Sequence, residues 1–432
     1  MDTRVGEFGI ACEACHGPAE EHIRANQNPG RRYRYRTTDE HDPTIVNPAN
    51  LPPELSAHVC GQCHSAMSLI KSRDKATHEK WNQTGFDYRP GENLFESRFL
   101  FGYEPHMQAP PIRDFIESNP DYMANRFWSD GVIRVAGREF SGLLKTPCYN
   151  HEDDSRKMTC LSCHSMHQPD GDDRDLSEWT NDQLDPELLG NAACTQCHED
   201  FVSDQQVEAH THHPAGSAGS LCYNCHMPYT TFGLLKAIRS HGLVSPSVQS
   251  SLETGRPNAC NQCHLDKTLA WTSQRLEEWF DMPGPELSSD QQNIAASVLW
   301  TLKGDAGQRA LMAWSMGWDA AKQASGTEWI TPYLAELLTD PYDAVRFVAW
   351  ESIKKSMTEF ETLSQDAMSY DFLQPEPDRI EFARRIRTLW DARAADRTAM
   401  EGVLVGVDGL LQQDAFDRLL QQRDQRPVSL LE

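Results

Sequence analysis

Six times along this chain two cysteines stand two residues apart with a histidine directly after the second. The sets are Cys12/Cys15/His16, Cys60/Cys63/His64, Cys160/Cys163/His164, Cys194/Cys197/His198, Cys222/Cys225/His226 and Cys260/Cys263/His264. They use twelve of the thirteen cysteines and leave only Cys148. Histidine is 17 of 432 residues. Its appearance after all six pairs by chance has odds on the order of one in 10⁸ or less.

Paired thiols at this spacing have three uses. Structural zinc would take the cysteines four at a time and leave the histidines without a role. A redox dithiol needs a βαβ surround, and no such pattern flanks any pair. Haem attachment uses all three residues: two thiols form thioethers to one haem, and the next imidazole becomes the proximal iron ligand. The expected cofactor is therefore covalently bound haem c, six per chain, held by the twelve motif cysteines. His16, His64, His164, His198, His226 and His264 are the expected proximal ligands.

The chain carries 40 basic and 64 acidic residues, a formal charge of −24, which argues against nucleic-acid binding. The basic stretch "RRYRYR" at 31–36 reads as an ordinary solvated loop, or as a contact for an anionic partner or for propionates. No apolar run approaches the ~20 residues of a transmembrane helix. No signal peptide is visible at the start. Haem is attached to such motifs outside the cytoplasm, so the expectation is a periplasmic or otherwise exported protein. A missing N-terminal segment with the export signal or a further haem is then expected.

Residues 1–288 hold every motif and are rich in turn-forming residues. The first cysteines are separated by 48, 100, 34, 28 and 38 residues. The long step contains an insert at about 65–159, in which "SDG" and the β-branched Val132, Ile133 and Val135 predict a short hairpin within 126–149. From 289 to 432 cysteine and histidine vanish. Ile294, Ala295, Val298, Leu299 and Leu302 fall at helical spacing. "YLAELLTDPYDAVRFVAWESIKK" reads as helix, turn, helix, with Asp340 as N-cap, Pro341 at the first helical position and Val345, Val348, Ala349 and Ile353 as the buried stripe. Such a pair looks like a HEAT-type repeat. The expected fold is mainly α with much irregular loop: a multihaem cytochrome c domain followed by an all-α helical repeat domain.

With "GIACEACHGPAEEH", "KMTCLSCHSMH", "HTHHPAGSAGSLCYNCHMP", "RSHGLVSP", "NACNQCH" and "DPYDAVRFVAWESI", the sequence resembles the multihaem c-type cytochromes that carry a C-terminal HEAT-like helical domain. The resemblance implies haem c. It leaves the reaction open, because that group is largely described as electron-transfer proteins or left without a function.

Eleven histidines lie outside the motifs and could be sixth ligands. His22, His167, His241 and the cluster His210, His212, His213 are the leading candidates, with His212 and His213 taken as ligands from the cluster. His58 and His151 follow, then His41, His78 and His106. Met107, Met158, Met166 and Met227 are further options, with Met227 expected to pack on the porphyrin. Cys148 reads as a buried free thiol. An electron carrier with mostly bis-histidine haems is the expected function. A redox partner protein could dock on the helical domain, and an oligomer is possible. The alternative is an oxidoreductase acting on a small nitrogen or sulfur compound at one open haem, with Arg134, Arg138, Tyr149 or His151 in its pocket; the variant C-x-x-C-K is absent. No catalytic residue is assigned.

Overall fold

The computed structural model describes residues 9–38, 40–69, 75–356 and 370–428. The chain is mainly helical, as expected, with two small two-stranded sheets among the described residues. It divides into two compact units: Met1–Pro120 with Arg138–Asp200, and Asp121–Gly137 with Phe201–Glu432.

The first unit is built from short helices on a small apolar core. Ala57, Tyr88, Leu94, Leu100, Phe140 and Leu143 are buried together around helix Pro53–Gly61. Strand Met67–Leu69 runs antiparallel to Arg98–Leu100, with Met67 opposite Leu100. Gly61, inside the second motif, has no room for a side chain: a Cβ there would lie 2.6 Å from the Phe140 ring. The basic stretch at 31–36 lies in a helix, Pro29–Thr37, not in a loop. Asn28 caps it and Pro29 opens it, which outweighs the crowding of like charges.

The second unit holds a large core, with a small separate cluster of Val135, Ala306 and Val428. Leu265, Leu269 and Leu276 are buried in the same cluster as Ile294, Val298, Leu302, Leu311, Tyr333 and Val345. Ser297 Oγ donates to Leu265 O at 2.5 Å, and Ser325 Oγ donates to Cys263 O at 2.6 Å. The fifth and sixth motifs thus lie in one compact unit with the helices beyond 289, so the segment 1–288 is shared between the two units. The segment 121–137, part of the expected insert, also belongs here. Its hairpin is reduced to a single antiparallel bridge, Phe127 to Ile133, and Val135 instead pairs in parallel with Phe232.

Helix Ala306–Met316 packs on Asp343–Ser356, and Thr331–Leu337 packs on Glu376–Asp391. The predicted stripe Val345, Val348, Ala349 and Ile353 is buried. Asp340 does not sit at the helix start, which comes at Asp343. Its carboxylate is buried and accepts from Arg309 Nε at 2.6 Å and from the Tyr342 amide at 3.0 Å. Buried charge demands a charged partner more strongly than an exposed helix end demands a cap. Among the described residues no helix is long and apolar enough to cross a membrane.

Candidate cofactor-attachment sites

Every motif is wound on one short turn. Cys12–His16, Cys222–His226 and Ala259–Cys263 are helical turns, Ala192–Thr195 opens the fourth motif, Cys160–Ser162 is a 3₁₀ turn, and Cys60 lies in the last turn of helix Pro53–Gly61. In four motifs the histidine amide donates to the first cysteine's carbonyl: His64 to Cys60 at 2.9 Å, His164 to Cys160 at 3.0 Å, His198 to Cys194 at 3.0 Å and His264 to Cys260 at 2.8 Å. This closure, four residues back, holds the cysteines and the imidazole in one turn of backbone.

A second layer orients the imidazoles. Nδ1 of His16 lies 2.6 Å from Val46 O, that of His164 lies 2.8 Å from Asp182 O, and that of His226 lies 3.2 Å from Val244 O. His64 Nδ1 lies 2.7 Å from Glu139 Oε2, which raises the His64 pKa. A carbonyl or carboxylate on Nδ1 fixes the tautomer that leaves Nε2 free for a metal. These four rings thus fit proximal ligation of haem iron.

The motifs also touch one another within each unit. Gln62 Nε2 donates to Ala14 O at 2.7 Å, and Gln196 Nε2 donates to Ser162 O at 2.9 Å. In both cases the residue before a second cysteine bonds its counterpart in the preceding motif. A hydrogen bond to Cys60, followed by burial, pushes the Cys160 thiol well up. Burial raises Cys163, with the neighbouring Cys197 and Cys148 adding to it. In the second unit burial brings Cys225 to about 11, with Cys222 adding to it, and Cys260 and Cys263 to about 12, with Cys225 adding to both. Motifs one to four are thus linked in sequence within the first unit, and five and six within the second.

Three imidazoles outside the motifs pair with imidazoles inside them. His167 stands 6.1 Å from His16 between ring centres at 24° between planes, His210 stands 6.2 Å from His226 at 7°, and His213 stands 6.0 Å from His264 at 30°. His212, singled out from the same cluster, instead lies flat on Trp279 at 4.4 Å. Its backbone is left-handed, φ 56°, at the end of helix Asp204–Thr211, which turns it away from its neighbours' direction. His22 Nδ1 is 3.3 Å from Asp42. His241 Nδ1 is 3.2 Å from Arg239 O. His58 is buried beside Phe95 and Phe140, with Nε2 unpartnered. Its Nδ1 accepts from the Leu94 amide at 3.3 Å, and that of His106 accepts from the Leu100 amide at 2.9 Å. His41 Nδ1 meets Asn50 at 2.9 Å, His78 lies against Trp81, and His151 Nδ1 accepts from the Asp153 amide. Met107 Sδ accepts from the Gly102 amide at 3.1 Å. Met227 offers its carbonyl to Arg239.

Of the four pocket candidates in the insert, Arg134 is spent on a buried ion pair with Asp305 at 2.5 Å in the second unit. Arg138 reaches Cys63 O at 3.4 Å, and Tyr149 is buried in the core of the first unit. Two residues that sequence reading passed over are more telling. Tyr88 and Arg98 are buried, and the Tyr88 hydroxyl and Arg98 Nε have no partner. The Cys60 and Cys15 thiols bear on Tyr88, and Cys63 bears on Arg98. Cys148 is a half-buried thiol, raised by burial and then by Cys197.

Residues 183–265 match the family model of cytochrome c7 and related cytochrome c. Over 211 residues the chain is 27% identical to the cytochrome c nitrite reductase subunit NrfA of Nitratidesulfovibrio vulgaris, a span of 45% of this chain and 33% of that protein. The chain thus covers about a third of the curated relative's length. The outer cell wall cytochrome OcwA aligns at 18% identity and TM-score 0.38, over 82% of this chain and 71% of that one. The repeated motif and the family match both support a multihaem c-type cytochrome.

Proposed function

We propose that the chain is an electron-transfer protein in which all six motifs hold haem c, most of them closed by a second histidine. The observation behind this reading is the set of paired imidazoles. An iron–nitrogen bond of about 2.0 Å on each side, with about 1.1 Å from nitrogen to ring centre, would put two axial rings roughly 6.2 Å apart. The three pairs stand at 6.0–6.2 Å. On that basis His167, His210 and His213 are the second ligands opposite His16, His226 and His264, and His212 is not a ligand.

Haem iron supplies a reversible one-electron change when bound. The chain's own residues do the rest: thiols anchor, imidazoles ligate, and the carbonyls of Val46, Asp182 and Val244 hold the rings in place. The contacts between successive motifs would keep neighbouring cofactors close enough for electrons to pass. The helices from 289 onward form a HEAT-like domain in this reading and offer a surface to a redox partner protein. In this reading covalent haem attachment implies export, to the periplasm or outside the cell.

One observation favours a second reading, a reductase of a small oxyanion. Among the described residues none of the three imidazole pairs includes His64, His164 or His198, and near the His64 cysteines the Tyr88 hydroxyl and Arg98 Nε are buried with no hydrogen-bond partner. An open position there would meet a cation and a proton donor. The similar nitrite reductase subunit is named for such a reaction.

Electron paramagnetic resonance of the oxidised protein, with haem counted per chain, tests both readings. Six low-spin haems support the carrier. A high-spin ferric signal that shifts with nitrite, with that shift weakened in Arg98→Gln, supports the reductase. Zinc without haem sinks both.

A further inference from the structure

The hairpin after the fifth motif folds a cation back against it. Tyr229–Gly233 pairs antiparallel with Lys236–Arg239, and Tyr229 stands opposite Arg239. The Arg239 guanidinium lies 4.0 Å from the Tyr229 ring centre and 4.3 Å from that of Tyr223. Nη1 donates to Tyr223 O at 3.0 Å and to Met227 O at 3.2 Å, and Nη2 donates to Asn224 Oδ1 at 2.7 Å. Tyr223 and Asn224 are the two residues between Cys222 and Cys225, and Met227 follows His226. The charge is thus bolted onto the attachment turn itself.

Its surroundings are unusual for an arginine. Among the described residues no carboxylate forms an ion pair with it; carbonyls, an amide and two aromatic faces hold it instead. Burial pulls its pKa down, against the opposing influence of Tyr229, Tyr223 and Cys263. A guanidinium nevertheless stays protonated in proteins. If packing alone were needed, a neutral donor could satisfy the same carbonyls without desolvating a charge. What a neutral donor cannot supply is a fixed positive field.

We infer that Arg239 sets the reduction potential of the haem on Cys222, Cys225 and His226, raising it through an uncompensated positive charge held on the attachment turn. Reduction adds one negative charge at the iron. A nearby cation in a partly water-excluded site favours the reduced form, and more strongly than it would in water. This inference rests on the proposal that the fifth motif holds haem.

The test compares Arg239→Gln and Arg239→Lys in the full, haem-loaded chain, with Lys236→Gln as the control on the same strand. Haem content is measured for each, and redox titration is followed by haem absorbance. R239Q should lower one one-electron component about tenfold in its reduced-to-oxidised ratio at fixed potential, about 59 mV, and leave the other components in place. R239K and K236Q should leave that component where it was. Lysine cannot reproduce the guanidinium fork or its stacking, so retention in R239K isolates the charge. Full haem content with every component of R239Q unmoved overturns the inference. So does an R239K shift as large as that of R239Q, which would make Arg239 a packing residue. Absence of haem from the wild-type Cys222–His226 peptide would overturn the haem reading itself.

Discussion

Replacing His210 by alanine should open one iron, and replacing its neighbour His212 should not. The two residues are two positions apart in one cluster. The His210 ring stands 6.2 Å from His226 with planes 7° apart, whereas the His212 ring lies 4.4 Å from Trp279 at 10°. Removing the first ring empties one side of one site in six, so about one sixth of the total haem should turn from low-spin to high-spin ferric. Added imidazole should restore the low-spin state. Removing the second ring costs only a stacking contact, about 0.5–1.5 kcal/mol of stability, with no change of spin. Electron paramagnetic resonance of both variants, at equal haem content, reads the difference. A high-spin signal in His212→Ala with none in His210→Ala would refute the assignment from ring separation.

Four further outcomes are expected. Arg309→Leu removes the nearest cation from the buried Asp340 carboxylate, leaving Arg423 at 3.8 Å, and should cost about 3 kcal/mol, read by urea unfolding through tryptophan fluorescence; Arg309→Leu with Asp340→Leu should recover much of it. The hairpin tip Leu234–Leu235 has both residues at positive φ, 49° and 55°, and exposed, so Asn-Gly in their place should stabilise the second unit by roughly 1–2 kcal/mol; an unchanged urea midpoint would contradict this. Gln196→Ala removes the clamp between the third and fourth motifs and should lower stability by about 1 kcal/mol without loss of haem. Asp42 is partly desolvated, which opposes its ionisation, yet donors from Thr44, Asn26 and Arg31 win and hold it well below the usual carboxylate range. A folded pKa below the unfolded value of about 3.9 means that the contribution is fully present above that pH and is lost as pH falls through the acid range. Asp42→Asn should therefore flatten the acid dependence of amide exchange around Thr44 and Val46, whose backbone is tied to Asp42 and His16.

The cofactor was legible from spacing alone, because C-x-x-C-H is a local device: one turn of backbone carries both thiols and the ligand, and no distant residue is needed to complete it. The helical stripe at Val345, Val348, Ala349 and Ile353 was legible for a similar reason, since helical periodicity is local. The glutamine before the second cysteine recurs in "CGQCH", "CTQCH" and "CNQCH", a signal that was present and unused. Two of the three reach an adjacent motif, while Gln262 bonds Pro257 O at 3.3 Å within its own segment.

Only tertiary structure decided the rest. His167 meets His16 across 151 positions, read from residue numbers 16 and 167, and no pattern in the chain links them. His210, His212 and His213 are indistinguishable as letters; a left-handed residue at 212 and the Trp279 ring separate them. Leu265, Leu269 and Leu276 find their apolar partners among the later helices, because burial follows available surface, not motif content. Arg239, Tyr88 and Arg98 carried no sequence signal, since a buried polar group is notable only once its surroundings are seen. Covalent attachment is written in the local chain; what faces each iron, and which charges surround it, is settled only when distant segments pack.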